Sequence, residues 1–259
     1  MGGTTANGER LHTARALMLS LDRQNGYRER YRAMRPGWRT SGEVYEARVR
    51  QYIRSANDGT ALSVLDLGCG AGGVMELFSR EVALSVGIDP YLPSLLESRD
   101  AFIRRVNGSV ERLPFQPESF DLIVSSWVLE HLDEPERAFA EISRVLKPRG
   151  HFVFLTPNAR NLVTFLNRLV PYLAQARLVR TLYGREERDT FRVAYRANTL
   201  EKLEALAAKA GLEQVHLQTV HDPTYLAFNS LLFRASALIE RWTPASRAVH
   251  IVGDFVRGG

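Results

Sequence analysis

The stretch "VLDLGCGAGG", Val64 to Gly73, places a carboxylate, a cysteine and four glycines in one short turn. Gly68, Gly70 and Gly73 have the spacing G-x-G-x-x-G, which lets backbone N–H groups come close to a ligand. Asp89 lies about 20 residues further on, at the end of the next apolar run, where a carboxylate accepts hydrogen bonds from ribose hydroxyls. A dinucleotide and an adenosyl ligand both satisfy these two features. Asp66 bears on the choice, because a carboxylate sits badly beside a pyrophosphate and well beside an ammonium and a sulfonium. Groups able to move a proton stand further along. His131, in "LEHL", follows the fourth apolar run, and a neutral imidazole has a suitable pKa for taking a hydroxyl proton. It serves equally well as a residue that holds its loop. Tyr195, His221 and Tyr225 flank two insertions and read either as pocket residues or as packing. Trp127 walls the same region or belongs to the core.

These residues need a frame, and the pattern around them supplies one. Leu62–Leu67, Leu84–Ile88, residues 106–110, Phe120–Ser125 and "HFVFLTP" read as strands. Helices are predicted from Gly72 to Arg80, from Pro93 to Arg104 and over "EPERAFAEISRVL", the last with Asp133 as N-cap and Glu136 as its partner. "KPRG" stops that helix. Later, "NTLEKLEALAAKAG" has Asn198 as N-cap, Glu201 as its box partner and Gly211 at the C-terminus, and "EQVHLQTV" and "AVHIVGDFV" complete the strands. Strands alternating with helices predict an α/β fold: a doubly wound, mostly parallel, seven-stranded Rossmann-like sheet. Before it, 1–60 is an N-terminal helical cover, with a polar tail at 1–12 and helices at 13–23 and 43–56. Residues 61–259 are the main domain, carrying lid insertions near 157–197 and 222–247.

The chain has 259 residues, 45% hydrophobic and 24% charged, the balance of an ordinary globular protein. An acidic middle lies between two basic flanks, and only Lys147, Lys202 and Lys209 among 34 basic residues are lysine. Arginine suits phosphate and carboxylate partners, but a plain compositional bias explains it as well. Cys69 is the one cysteine, so no intrachain disulfide or cysteine zinc cluster forms, and no metal site is predicted. With no signal-like apolar core at the start and no long apolar run, the expected location is the cytoplasm.

Four blocks in order carry a resemblance: "VLDLGCGAGG", Asp89, "GSVERLPF", and "FDLIVSSWVLEHL" followed by "AFAEISRVLKPRGHFVFLTP". Over residues 62–157, and loosely over 198–220, the chain resembles class I S-adenosylmethionine-dependent methyltransferases. The similar members include the ubiquinone and menaquinone biosynthesis group. The resemblance implies S-adenosylmethionine as cofactor. It implies Asp66, Gly68, Cys69 and Gly70 around the methionine part, Asp89 on the ribose and Pro90 beside the adenine. Val110 and Glu111 would flank the adenine through their backbone, and Ser125 and Ser126 would pass beside the methionine. Ser109 stands where the family often has an acid, and it accepts a hydrogen bond from the adenine amino group less strongly.

The family fixes no catalytic residue, so His131, His221 and Tyr195 remain the candidates. "SSWV" lacks the Asn/Asp-Pro-Pro-aromatic motif of enzymes that methylate exocyclic amines, and no RNA-binding module is appended, so no nucleic-acid partner is expected. The insertions are apolar: "NLVTFLNRLVPYLAQARLVRTLYG" carries Arg160, Arg168, Arg177 and Arg180, with Pro171 breaking it. "YLAFNSLLFRASALIERW" is apolar on most of its circumference. A greasy cap with a basic edge points to a small-molecule or lipid- or carrier-linked acceptor and to peripheral membrane contact. A cap packed on itself, or on a second subunit of a homodimer, explains it too. Trp38, Arg39 and Arg48 are candidates for closing the cofactor side. The reading is methyl transfer, most simply to oxygen; nitrogen or carbon transfer, or a non-catalytic S-adenosylmethionine-binding protein, are the alternatives.

Overall fold

A computed structural model describes residues 24–55, 61–97, 100–162, 164–165, 193–227 and 229–259. The helix expected at 13–23 and most of the first insertion, with Arg168, Pro171, Arg177 and Arg180, lie outside the described residues.

Chain order is α1 (24–34), α2 (Ser41–Ser55), β1 (Ser63–Leu67), β2 (Leu84–Asp89), α3 (Leu92–Glu97), β3 (Ile103–Asn107) and β4 (Phe120–Ser126). Then come α4 (Pro135–Val145), β5 (Leu146–Pro157), α5 (Leu200–Lys209), β6 (Leu212–Val220), α6 (Ser230–Trp242) and β7 (His250–Arg257). The described strands form one sheet in the order β3-β2-β1-β4-β5-β7-β6. The first five are parallel, and β7 runs antiparallel to both β5 and β6. This is the Rossmann-like α/β fold that the strand–helix alternation predicts.

Alternation along each strand builds two cores. Leu65, Leu67, Ile123, Phe152, Phe154, Ile251 and Phe255 face α4 and α5, meeting Phe139, Ile142, Leu203 and Leu206. Val64, Leu122, Val124, Val153, Leu155 and Val252 face the other way, onto Tyr45, Val49 and Ile53 of α2 and onto Met75 and Phe78. Helix α2 is thus part of the layer that covers the sheet. It starts at a reciprocal capping box: Glu43 N–H donates to Thr40 Oγ1 at 3.2 Å, and Thr40 N–H donates to Glu43 Oε2 at 2.8 Å. A third cluster joins α1 to α6 through Tyr27, Tyr31 and Phe233.

Several local expectations are corrected. No α-helix spans Gly72–Arg80; a 3-10 turn at Val74–Leu77 stands there. The short stretch before β2 closes on itself instead, with Ser79 N–H bonded to Met75 O and Glu81 N–H to Phe78 O. Helix α3 ends its described part at Glu97, and Ile103 and Arg104 pair in β3, three residues ahead of the expected strand. Asp133 does not cap α4. That helix begins at Pro135, and the Glu111 carboxylate accepts from Asp133 N–H at 2.9 Å and Glu134 N–H at 2.7 Å. Thr199, not Asn198, caps α5, because the Asn198 amide is drawn inward to Thr156 Oγ1 at 2.6 Å. Glu201 pairs with Arg160 at 2.6 Å rather than completing a capping box. "KPRG" ends α4 and also begins β5, across a bulge in its pairing with β4.

Gly253 on β7 faces Phe154 on β5, and the Phe154 ring lies over it: an added Cβ would stand 2.2 Å from Phe154 Cζ. Gly253→Ala should therefore cost about 1–3 kcal/mol by overpacking. Denaturant unfolding should show the lower midpoint with an unchanged slope.

Candidate active site

Strand β1 delivers Asp66 and then turns sharply. Gly68 (φ +66°) and Gly70 (φ +53°) both occupy the left-handed region that glycine tolerates best. Gly68 has a second constraint: a Cβ there would come within 2.2 Å of Val128 Cγ2. At Gly70 nothing lies within 4 Å of such an atom, so the turn faces open space. Gly68 N–H and Cys69 N–H both donate to Ile88 O, and Gly70 N–H donates to Asp89 Oδ2 at 2.9 Å. Asp89 Oδ1 accepts from Tyr91 N–H at 2.8 Å. One carboxylate therefore ties the turn after β1 to the turn after β2, and each oxygen keeps a second lone pair for a ligand hydroxyl.

Asn107, at the end of β3, was invisible to motif reasoning. Its side-chain amide donates to Asp89 O and Pro90 O, both at 2.9 Å, and so holds the exposed Pro90 turn. Ser109 and Arg112 form an isolated bridge; Ser109 Oγ accepts from Glu111 N–H at 3.2 Å, and Val110 is buried. Cys69 is buried against β2, where its Sγ would meet a Cβ on Gly87 at 2.6 Å. Burial pushes its thiol up to about 12, which keeps it inert at neutral pH.

Asp66 is buried, and its Oδ2 has no hydrogen-bond partner among the described residues. The same holds for Ser125 Oγ at the end of β4. Burial, assisted by Asp89 and Glu76, pushes the Asp66 carboxyl up to about 7. Tyr45 of α2 is buried close enough to Asp66 for that carboxylate to help raise its phenol. A carboxylate oxygen without a partner, set against Gly73 of the glycine turn, fits the cationic end of an amino-acid-like ligand, whose charge would favour the ionised form. It fits a pyrophosphate poorly. Only a four-residue 3-10 turn follows the glycines, so the aligned peptide dipoles that favour a diphosphate are few.

Beyond β4 the chain enters a 3-10 turn at Leu129–His131. His131 Nε2 lies 3.9 Å from Glu130 Oε1. Glu130 itself carries no motif signal, yet it is buried, accepts from Thr156 Oγ1 at 3.2 Å and is pushed up to about 7 by burial. Its carbonyl holds Ala194 N–H and Tyr195 N–H, which fixes the backbone of the left-handed Tyr195 (φ +50°) against the 3-10 turn that ends at His131. His221 lies on a different wall. Its carbonyl accepts from Trp38 Nε1 at 2.8 Å, and its Nδ1 lies 3.6 Å from Glu240. Arg39 is exposed, and Arg48 faces His216, whose pKa burial and then this charge lower. A cavity of about 1160 Å³ runs beside His221, Tyr225 and Arg247 and along the apolar side of α6. The apolar insertion helix is not enclosed: Phe233 is its buried residue, while Leu231, Leu238, Ile239 and Trp242 are exposed.

Residues 65–154 match the family model described as a methyltransferase domain. That stretch belongs to the class I S-adenosylmethionine-dependent methyltransferase domains. An uncharacterized methyltransferase of Bacillus subtilis, YcgJ, is 31% identical over 131 residues, covering 45% of this chain and 51% of the relative. The YcgJ crystal structure superposes with a TM-score of 0.55 at 17% identity, over 84% of this chain and 99% of that one, which shows the fold. A ubiquinone biosynthesis O-methyltransferase of Aliivibrio fischeri is 27% identical over 49% of this chain and 57% of its own length. A malonyl-[acyl-carrier protein] O-methyltransferase of Herminiimonas arsenicoxydans is 30% identical over 48% and 52%. The chain spans about half the length of the curated relatives it matches. Among the described residues, no helix is long and apolar enough to cross a membrane.

Asp66, Glu130 and Glu240 all titrate higher in the fold than in an unfolded chain, each chiefly because of burial. The folded state therefore binds protons more tightly than the unfolded one. Stability from these groups is complete below the ordinary carboxylate range and is lost as pH rises through about 7. The ligand-free protein should melt at a higher temperature at pH 6 than at pH 8. Asp66→Asn should flatten that slope in calorimetry across the same window.

Proposed function

We propose that this protein transfers a methyl group from S-adenosylmethionine to a hydroxyl oxygen of a small-molecule or carrier-linked acceptor. The observation that carries the reading is the unpartnered Asp66 carboxylate oxygen set against Gly73, in the same glycine turn that is open at Gly70. Asp66, Gly68 and Gly70 hold the methionine end, with Ser125 and Ser126 passing beside it. Asp89 receives the ribose hydroxyls. Pro90, Ser109, Val110 and the Glu111 backbone border the adenine. Cys69 packs the turn onto β2. The helices before β1 act as a cover, and Tyr45 reaches in from it.

The bound cofactor supplies a methyl group already activated on a sulfonium. What remains for the chain is alignment, exclusion of water and a place for a proton. His131 and Tyr195, tied together through Glu130, border the acceptor side of the β4 end. His221 and the apolar wall of α6 shape the cavity, where Arg247 offers a cation to an acidic or carrier-borne group. Oxygen as the receiving atom is supported by two of the matched relatives being named O-methyltransferases. The apolar cavity supports an acceptor with a greasy part.

Calorimetric titration with S-adenosylhomocysteine and, in parallel, NADH tests the cofactor. S-adenosylhomocysteine should bind on the order of micromolar, NADH should not, and Asp66→Ala should weaken binding at least about tenfold, the loss of one charge-assisted contact. Binding of NADH alone would overturn the reading. Transfer of a labelled methyl group to extract fractions then tests turnover, and label recovered on nitrogen or carbon would move the assignment away from oxygen.

A further inference from the structure

His250 opens β7 and is 1% exposed. It lies at the carboxyl end of the parallel strands, because β7 is antiparallel and pairs His250 with Pro157, the last residue of β5. Its Nδ1 is 2.7 Å from Ser41 Oγ, and the Ser41 hydroxyl donates to Asp222 Oδ2 at 3.4 Å. A serine hydroxyl has one proton. With that proton directed at Asp222, Ser41 Oγ accepts from the ring, which puts the imidazole proton on Nδ1. Nε2 then carries a bare lone pair, and this buried atom has no hydrogen-bond partner among the described residues.

Two rings stand against the imidazole. Trp127 meets it edge to face at 4.8 Å and 80°, and Tyr225 does so at 4.8 Å and 87°. The two lie nearly parallel, 18° apart, with centroids separated by 6.3 Å. Each is 38% exposed, so each keeps part of an aromatic ring open for a planar ligand to stack on. Trp127 directly follows Ser126 and adopts φ +62°, a conformation that a bulky side chain rarely takes outside functional sites. The cavity beside α6 reaches this group through Tyr225, Asp222 and Val249.

We propose that His250 Nε2 accepts the hydroxyl proton of the methyl acceptor, and that this acceptor is a planar hydroxyl-bearing ring stacked on Trp127 and Tyr225. This rests on the methyl-transfer reading above. The acceptor oxygen forms its bond to the methyl carbon while the methyl–sulfur bond breaks, leaving its electron pair on sulfur. The hydroxyl proton passes to Nε2, so the positive charge ends on the imidazolium, held through Ser41 by the Asp222 carboxylate. Burial pushes His250 down to about 3, so the ring waits neutral. It remains competent, because an oxygen acquiring a third bond is a far stronger acid than an imidazolium.

The test uses the full chain saturated with S-adenosylhomocysteine, with 2-naphthol as a flat probe and cyclohexanol as a non-planar one. Nitrogen NMR of the histidines should show His250 as the neutral Nδ1–H tautomer. 2-Naphthol should move its Nε2 resonance and cyclohexanol should not. Trp127→Leu should weaken 2-naphthol binding at least tenfold while S-adenosylhomocysteine binding stays within twofold. With a methylated acceptor in hand, His250→Gln should lower kcat by about 10²–10⁴ with cofactor binding intact. Should His250→Gln not fold, Ser41→Ala serves, and it should shift the ring toward the Nε2–H tautomer. An unmoved Nε2 resonance, equal binding of both probes, or full turnover in His250→Gln overturns this assignment alone. Failure of wild-type S-adenosylhomocysteine binding instead overturns the reading beneath it.

Discussion

The turns after β1 and β2 hang on the Asp89 carboxylate. Its two oxygens take the N–H groups of Gly70 and Tyr91, so the turns after β1 and β2 are fixed to each other rather than to solvent. Asn107 then fastens the backbone around Asp89 from β3. The left-handed glycines are affordable because this network over-determines them. With the turn fixed, Asp66 is trapped behind it as a buried acid whose natural complement is a cation.

The second constraint is the reversed strand. A parallel β7 would begin at the far edge of the sheet. Running antiparallel between β5 and β6, it instead begins beside the ends of β4 and β5, where His250 meets Trp127. Helix α2 closes the arrangement from the opposite layer. The capping box at Thr40 and Glu43 sets its start, which places Ser41 against His250 and Tyr45 close to Asp66. The sides proposed for the cofactor and for the acceptor thus share one helix.

The parts of this site that read directly from the sequence are those confined to one strand and its turn. Asp66, the glycines and Asp89 follow each other at fixed spacing, and strand alternation around them is strong. Local helix signals misled where tertiary contacts won. Glu111 reached across from another loop to cap α4, and Thr156 pulled Asn198 inward from the position where it would have capped α5. The "T-S-G-E" box at residues 40–43 was a readable signal for the start of α2. Glu130, Asn107 and His250 had no comparable signal. Their meaning comes from partners far away in the chain, such as Ser41 and His250, and single-sequence spacing carries no trace of such pairs.

Glu111 has a consequence for how this protein could change. Its backbone borders the pocket edge assigned to the adenine, while its carboxylate anchors the start of α4, a helix whose Phe139 and Ile142 fill the core. The loop that holds Ser109 and Glu111 is therefore not an interchangeable cassette. A loop transplanted from a relative would arrive without the acid that α4 relies on, or with one aimed elsewhere. Recombination at this point would have to carry loop and helix start together.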